Sequence, residues 1–333
     1  MMTAVHVGID VSRDSLAVCI LYADDSTDQL SFDNNTRGIR SLTKKLSGLS
    51  AEVHVCVEAT STYHFQLCLA LHGTAGITIH CTDPRSSSDF RKAWRKRAKT
   101  DKLDAKGLAH FSRAIPQLPW EPPRQAVRDL RDYARTSAQL IKDIQSTRNR
   151  MHAASHGGVC KTLLREYKLL IDYHKRSLQR LRNAMMEIVK NDAELKRCFE
   201  LLLTVCGIGE ISALAILAEL ASMPRGLSKA KWVSMAGMDP EARDSGGSTP
   251  PRHISRRGNA RLRHALFMPA LVAVRYSPAV KAYYDRLLEG GKRKMCALFA
   301  VMRKLLLAIW GMFNTNTEWD QTKFTQKVPL TSK

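Results

Sequence analysis

Two aspartates stand three residues apart in RAKTDKLDAKG, residues 97–107, inside a run of lysines and arginines. On a helix that spacing puts the carboxylates of Asp101 and Asp104 on one face. Either they are surface charges paired with the lysines around them, or they hold something more positive than lysine. Two further acids widen the question. Asp10 ends the apolar run VHVGID and is followed by turn-forming residues, and Glu58 ends the run VHVCVE. Strand ends along one edge of a sheet are where side chains converge on a site. Four carboxylates from three elements could form an oxygen cage of the kind magnesium takes, with room for water and a phosphate. Manganese would accept the same donors. Two such ions could clamp the attacking and leaving oxygens of a phosphoryl transfer. Each acid also has a local reading, Asp10 as a turn cap and Asp101 as the acid that opens a helix.

The elements that must position these acids are readable as patterns. VHVGIDVS (5–12), SLAVCILYA (15–23) and DQLSFDN (28–34) read as strands. Residues 36–48 carry helical spacing through Ile39, Leu42 and Leu46. VHVCVEA (53–59) is a buried strand, TYHFQLCLALHG (62–73) a helix stopped by Gly73, and ITIHCTD (77–83) a strand ended by Pro84. Helix returns over 101–114. The expected order is three strands, then helix, strand, helix, strand, helix, an α/β domain with a mixed sheet over residues 1–120. PWEPP (119–123) marks its end.

The middle of the chain changes character. Val127, Leu130, Ala134, Ser137, Ile141, Ile144, Arg148 and Met151 alternate steps of three and four, and the pattern resumes after Gly157–Gly158 from Leu164 to Ile188. Residues 124–192 therefore predict two heptad-like helices, a hairpin within the chain or a coiled coil between chains, with self-association favoured because little else is available there to bury them. Residues 196–316 predict a mostly α domain, and 317–333 an irregular tail.

The 333 residues carry a formal net charge of +21. That excess points to a polyanion, nucleic acid first. A membrane surface would ask for an apolar anchor beside the basic residues, and none is visible. The apolar segment 296–313 is broken by Arg303 and Lys304, which suits a buried helix. No signal peptide opens the chain. The eight cysteines include no C-x-x-C pair and read as reduced residues of a cytoplasmic protein, and the eleven histidines lack zinc spacing.

Three further segments carry possible contacts. Arg91, Lys92, Arg95, Lys96, Arg97 and Lys99 precede the aspartate pair and could hold a nucleic-acid backbone. VCGIGEISALAILAEL (205–220) places Gly207 and Gly209 in a turn between apolar helices, like a helix-hairpin-helix; it either contacts phosphates through its backbone or only packs helices. AGMDPEARDSGGS (236–248) clusters small and polar residues, and Arg252, Arg256, Arg257, Arg261 and Arg263 follow it. By composition alone it is a flexible loop with a basic flank. Neither His253 nor His264 stands out as a base.

An acid ending the first strand, another ending a later buried strand and a D-x-x-D helix is the layout of an RNase H-like core. GIDVSRDSLAV, VEATSTYH and AKTDKLDAKGLA resemble the DEDD transposases of bacterial insertion sequences, the IS-one-ten and IS-one-one-one-one groups, over nearly the whole chain. The resemblance implies a RuvC-like amino-terminal domain with Asp10, Glu58, Asp101 and Asp104 as its metal-binding tetrad, served by Mg2+ or Mn2+. It also implies that the first serine of the S-G-x-S element is a nucleophile forming a phosphoserine with DNA. That serine matches Ser245, with Ser248 the runner-up. The chain departs from the family at Cys206, where proline is usual, and at Gly247, where relatives can have serine; Pro250–Pro251 also lie in the loop. The partners implied are element-end and target DNA, a structured guide RNA and further copies of the chain as a dimer or tetramer, with acid and serine domains of different subunits forming a composite site. The expected location is the cytoplasm, at the nucleoid when bound to DNA. Two other functions fit subsets of these residues. A structure-selective nuclease needs the acids without Ser245, and a non-catalytic nucleic-acid-binding protein needs only the basic patches and the glycine turn.

Overall fold

The computed structural model describes residues 4–59, 62–94, 100–224, 226–241 and 253–325. The chain divides into two compact units, Met1–Pro122 and Pro123–Lys333.

The first unit is built on a five-stranded mixed sheet in the order β3-β2-β1-β4-β5. β1 (Ala4–Val11), β2 (Ser15–Leu21) and β3 (Thr27–Asp33) form an antiparallel meander, because tight turns join them. β4 (Glu52–Glu58) and β5 (Ile77–Thr82) run parallel to β1, which requires crossovers. α1 (Thr36–Ser47) and α2 (Phe65–His72) supply them. Alternation then sorts the two faces. Val5, Val7, Ile9, Val53, Val55 and Val57 pack with Ile39 and Leu42 of α1 and Leu67 and Leu71 of α2.

The opposite face is covered by α4 (Asp101–Ala114), whose Ala105, Ala109, Leu108 and Phe111 meet Cys19, Leu21 and Cys56. Gly8 lets α4 cross at backbone contact. A Cβ there would lie 2.0 Å from the Ala105 carbonyl oxygen and 2.3 Å from the Ala109 nitrogen. The sequence pattern omits one element: residues Pro84–Trp94 form a helix, α3, before the D-x-x-D helix. PRSSSDFRKAW has no apolar repeat, and its anchors are the buried Ser87 and the edge-on contact of Phe90 with Phe111.

The second unit is helical. α5 (Gln125–His156) and α6 (Lys161–Asn191) pack against each other as a hairpin within the chain. Only their open ends reach the core, through Val127, Leu130, Met185 and Val189. α7 (Ala193–Thr204), α8 (Glu210–Leu220), α9 (Lys229–Met235), α10 (Ala260–Tyr276), α11 (Pro278–Glu289) and α12 (Lys294–Thr315) complete that core. A two-residue ribbon, β6 (Pro240–Glu241) with β7 (His253–Ile254), lies between α9 and α10 in the chain. Among the described residues α12 alone is long and apolar enough to cross a membrane, yet its Val301, Leu305, Leu306 and Ile309 are fully buried in the protein core. Each such side chain contributes about 1.5–3 kcal/mol by leaving water. The expected irregular tail is corrected in part: Thr322–Thr325 form a short helix, α13, and Phe324 is buried against Tyr283 and Trp319.

Candidate functional site

Asp10 and Glu58 sit at the carboxyl ends of neighbouring parallel strands, one step beyond the Ile9–Val57 register pair. Alternation turns Asp10 to the face of Gly8 and Glu58 to the face of Cys56, which is the face α4 covers. α4 brings the other two acids. Thr100 caps it, its hydroxyl accepting from the Leu103 N–H at 3.3 Å, so Asp101 and Asp104 fall in the first turn. Asp101 is exposed; the Asp104 side chain is only 14% exposed.

Asp10 feels the other three carboxylates. Burial, then the charges of Asp104, Asp101 and Glu58, push the Asp10 carboxyl up to about 6, against a smaller opposing pull from Arg91. A cluster of this kind calls for a cation. Arg91 of α3 supplies one. Its Nη1 lies 2.5 Å from Asp104 Oδ1 and its Nη2 3.4 Å from Glu58 Oε2. Glu58 Oε2 also accepts from the fully buried Ser87 hydroxyl at 2.8 Å. The arginine reaches the acids across Gly107, where a Cβ would stand 2.7 Å from Arg91 Cγ. Its Nε–H is buried with no acceptor among the described residues, so its hydrogen bonding is incomplete.

Among the described residues, no three His, Cys, Asp or Glu side chains close on one point as a ready set of metal ligands. Arg91, standing between Glu58 and Asp104, holds two of the acids on either side of its guanidinium. The donors themselves, carboxylate oxygens from β1, β4 and α4, suit a hard divalent cation. Sequence reasoning placed Arg91 among backbone-binding cations; only the fold of α3 reveals its contact with the acids.

Ser245, Ser248 and Arg252 lie outside the described residues, as do Arg95, Lys96, Arg97 and Lys99. The frame that carries the serine segment is described. Pro240 pairs with Ile254 and Glu241 with His253, an antiparallel contact of the described residues on either side of that segment. Below that ribbon the Ser255 hydroxyl donates to Asp239 Oδ1 at 2.6 Å. The backbones of Gly237 and Gly258 touch, since a Cβ on Gly258 would lie 2.2 Å from the Gly237 nitrogen. Arg263 Nη1 donates to the carbonyls of Ala236 and Gly258 at 2.8 and 3.1 Å.

Asn259 caps α10 and donates to Glu219 Oε2 at 2.6 Å. Glu219, 3% exposed, also receives two 2.9 Å bonds from Arg135 of α5. Burial pushes the Glu219 carboxyl up, but hydrogen bonds from Arg135 and Asn259 and the arginine charge outweigh it and hold it below its ordinary value. Sequence reasoning missed this hub, because Glu219 sits in an apolar helix with no local partner. Its charge within AILAEL was the available signal.

Arg256, Arg257 and Arg261 are exposed after the ribbon, and Arg256 has φ of 53°. Of the glycine turn, Gly207 has φ of 93° and faces α10, where a Cβ would lie 2.5 Å from the Pro269 carbonyl oxygen; Gly209 is exposed and caps α8.

Residues 7–155 match the family model of DEDD IS110 transposases, and residues 199–285 match that of the transposase IS116/IS110/IS902 family. The pilin gene-inverting protein of Moraxella bovis is 28% identical over 96% of this chain and 99% of its own length. The putative transposase y4qE of Sinorhizobium fredii is 24% identical over 91% of this chain and 78% of its own. The insertion element IS900 uncharacterized 42 kDa protein of Mycobacterium paratuberculosis is 33% identical over 38% of this chain and 33% of its own.

Proposed function

Because this chain belongs to the IS110 family of insertion-sequence transposases, we propose that it cuts and rejoins DNA at two centres, the four carboxylates and a serine nucleophile, Ser245. The observation that carries the first centre is geometric: Asp10 and Glu58 end neighbouring parallel strands on the face that α4 covers, and the first turn of α4 carries Asp101 and Asp104. The sheet order and the placement of α4 support a RuvC-like reading of the first unit.

Asp10, Glu58, Asp101 and Asp104 would hold Mg2+ or Mn2+. Bound there, the ion supplies Lewis-acid stabilisation of charge on a phosphate. Arg91, were it to leave the acids, would need new acceptors, which a phosphate oxygen offers, as it does to the Nε–H that has none among the described residues. Ser245 then attacks phosphorus: its Oγ loses a proton, an Oγ–P bond forms, and the displaced sugar oxygen leaves as a hydroxyl. Attack by a hydroxyl of another strand reverses the step and frees the serine. One phosphodiester is exchanged for another, so no nucleotide cofactor is consumed. The printed name of a relative aligned over nearly its whole length, a gene-inverting protein, supports rejoining rather than cutting alone.

Exposed Ile141, Leu163, Leu169, Leu170 and Tyr173 on the α5–α6 hairpin support assembly with further copies. A guide RNA is the remaining part of the reading, supported by the family and by the net charge of +21. The test is a covalent trap. Protein, magnesium, RNA transcribed from the flanking sequence and labelled junction DNA are incubated and denatured. Label travelling with the protein, lost in Ser245→Ala and in Asp101→Ala, is expected. Cleaved DNA without protein-linked label would replace the serine step by attack of water.

A further inference from the structure

On the face of the sheet opposite the acids, a cavity of about 770 Å³ opens between the β1–β2 turn, α1 and the segment that leads into α2. Three cations line it, Arg13 from the turn, whose Nε lies 3.5 Å from Asp14 Oδ1, and Arg40 and Lys44 from α1, and its lining residues include no carboxylate. Arg40 and Lys44 are one helical turn apart, about 6 Å along the axis, on the polar side of a helix whose Ile39, Leu42 and Leu46 are buried. The ring-bearing Tyr63, 48% exposed, and Gln66 stand across from them.

The walls are held by main-chain contacts. Asn34 Nδ2 donates to the Ser12 carbonyl at 2.8 Å and to the Tyr63 carbonyl at 3.4 Å, and the Asn34 N–H donates to the Asp14 carbonyl at 3.0 Å. One residue thus ties the turn, the end of β3 and the Tyr63 segment together. Cations at phosphate-like spacing, an exposed aromatic ring and a side-chain amide are the elements that bind an unpaired polynucleotide. A duplex keeps its bases stacked and could not offer one to Tyr63. The position is also informative. Arg13 follows Asp10 by three residues and Tyr63 follows Glu58 by five. Both walls continue the strands that carry the acids, so the cavity and the acids share one sheet edge from opposite faces.

We propose that this cavity binds an unpaired, single-stranded stretch of the nucleic acid that the chain handles. Phosphates sit on Arg13, Arg40 and Lys44 and a base stacks on Tyr63. The proposal rests on the reading of the chain as a DNA-processing enzyme, and not on the chemistry of Ser245 or of a metal.

The test uses the full-length protein with fluorescent twelve-nucleotide single strands, one DNA and one RNA, carrying 5-iodouracil. Anisotropy is followed over a salt series, and photo-crosslinks are mapped by peptide mass spectrometry. Removing both α1 cations, all exposed and unburdened by core packing, in Arg40→Ala/Lys44→Ala should weaken binding and reduce the salt slope by about 1.4, the value for two phosphates of a single strand. Tyr63→Leu should weaken binding about tenfold and remove a crosslink to its peptide. A preference for RNA or DNA identifies which strand occupies the cavity. Unchanged affinity and slope in both variants, with crosslinks confined to other peptides, would overturn the proposal. Asp10→Asn separates the two readings: if it still cleaves DNA the acid-site reading fails, while oligonucleotide binding in the cavity stands or falls on the α1 and Tyr63 variants.

Discussion

Asp10→Asn tests the electrostatics of the acid cluster directly. The carboxyl is raised from 3.8 to about 6, first by burial and then by Asp104, Asp101 and Glu58. The native state therefore binds the Asp10 proton more tightly than the unfolded chain does. Stability from this group is full below pH 3.8 and is lost as pH rises through about 6. The difference corresponds to about 3 kcal/mol as a ceiling; Asp10 is partly open to water, and screening lowers this to about 1–2 kcal/mol. Asparagine keeps the shape and removes the charge. Without divalent ions, the variant should be more stable than the parent by that amount at pH 7.5, and the gap should shrink at pH 5 and vanish near pH 3.8. Hydrogen exchange of β1 and β4 reports the first unit by itself, which avoids treating a two-unit chain as a single transition. Adding Mg2+ or Mn2+ should stabilise the parent, where four carboxylates are available, and act far less on the variant. A variant less stable than the parent at pH 7.5 in chelator would refute the reasoning, since Asp10 would then be making a favourable native contact.

Three other perturbations follow from the same contacts. Gly8→Ala drives a methyl into the backbone of α4 at 2.0 and 2.3 Å; a loss of about 3 kcal/mol, with faster exchange throughout α4, is expected in denaturant and exchange measurements. Glu219→Ala leaves Arg135 and Asn259 without their shared acceptor and should cost about 3 kcal/mol, seen as a lower urea midpoint of the helical unit, while Glu219→Gln should cost less because its carbonyl still accepts. The stacked His6, His54 and His80, with ring centroids 5.3 and 5.7 Å apart, give the sheet an opposite pH response to that of Asp10. Burial, then His54, Arg113 and His80, lower His6 to about 4, and burial lowers His80. The unfolded chain takes these protons first, so stability is full above pH 6.5 and is lost as pH falls from there through about 4, by about 1–2 kcal/mol for the partly exposed His6 once solvent screening is allowed for. His6→Gln should flatten that slope in a thermal series between pH 7 and 5.

Much of the first unit was legible because its signals are local. β1, β4 and β5 announce themselves by alternation, and α4 begins at Asp101 where the pattern places it. α3 was not legible. Ser87 and Phe90 become core residues only once α4 lies beside them, and PRSSSDFRKAW in isolation reads as polar loop. The heptad helices were legible as helices, but not their pairing within one chain, since the same apolar stripe serves a hairpin or a second copy.

The sequence by itself determined which residues could share a face. Strand parity puts Asp10 with Gly8 and Glu58 with Cys56, and a one-residue slip would send both acids to the other side. Helical period likewise puts Asp101 beside Asp104. Tertiary structure alone decided what those faces meet. α4 crosses at Gly8 because a missing Cβ permits it, and that crossing brings Asp101 and Asp104 into the field of Asp10. Arg91 enters between Glu58 and Asp104 over Gly107, and Glu219 gathers Arg135 and Asn259 from helices far apart in the chain. Such convergences depend on contacts between distant segments, and no local period encodes them.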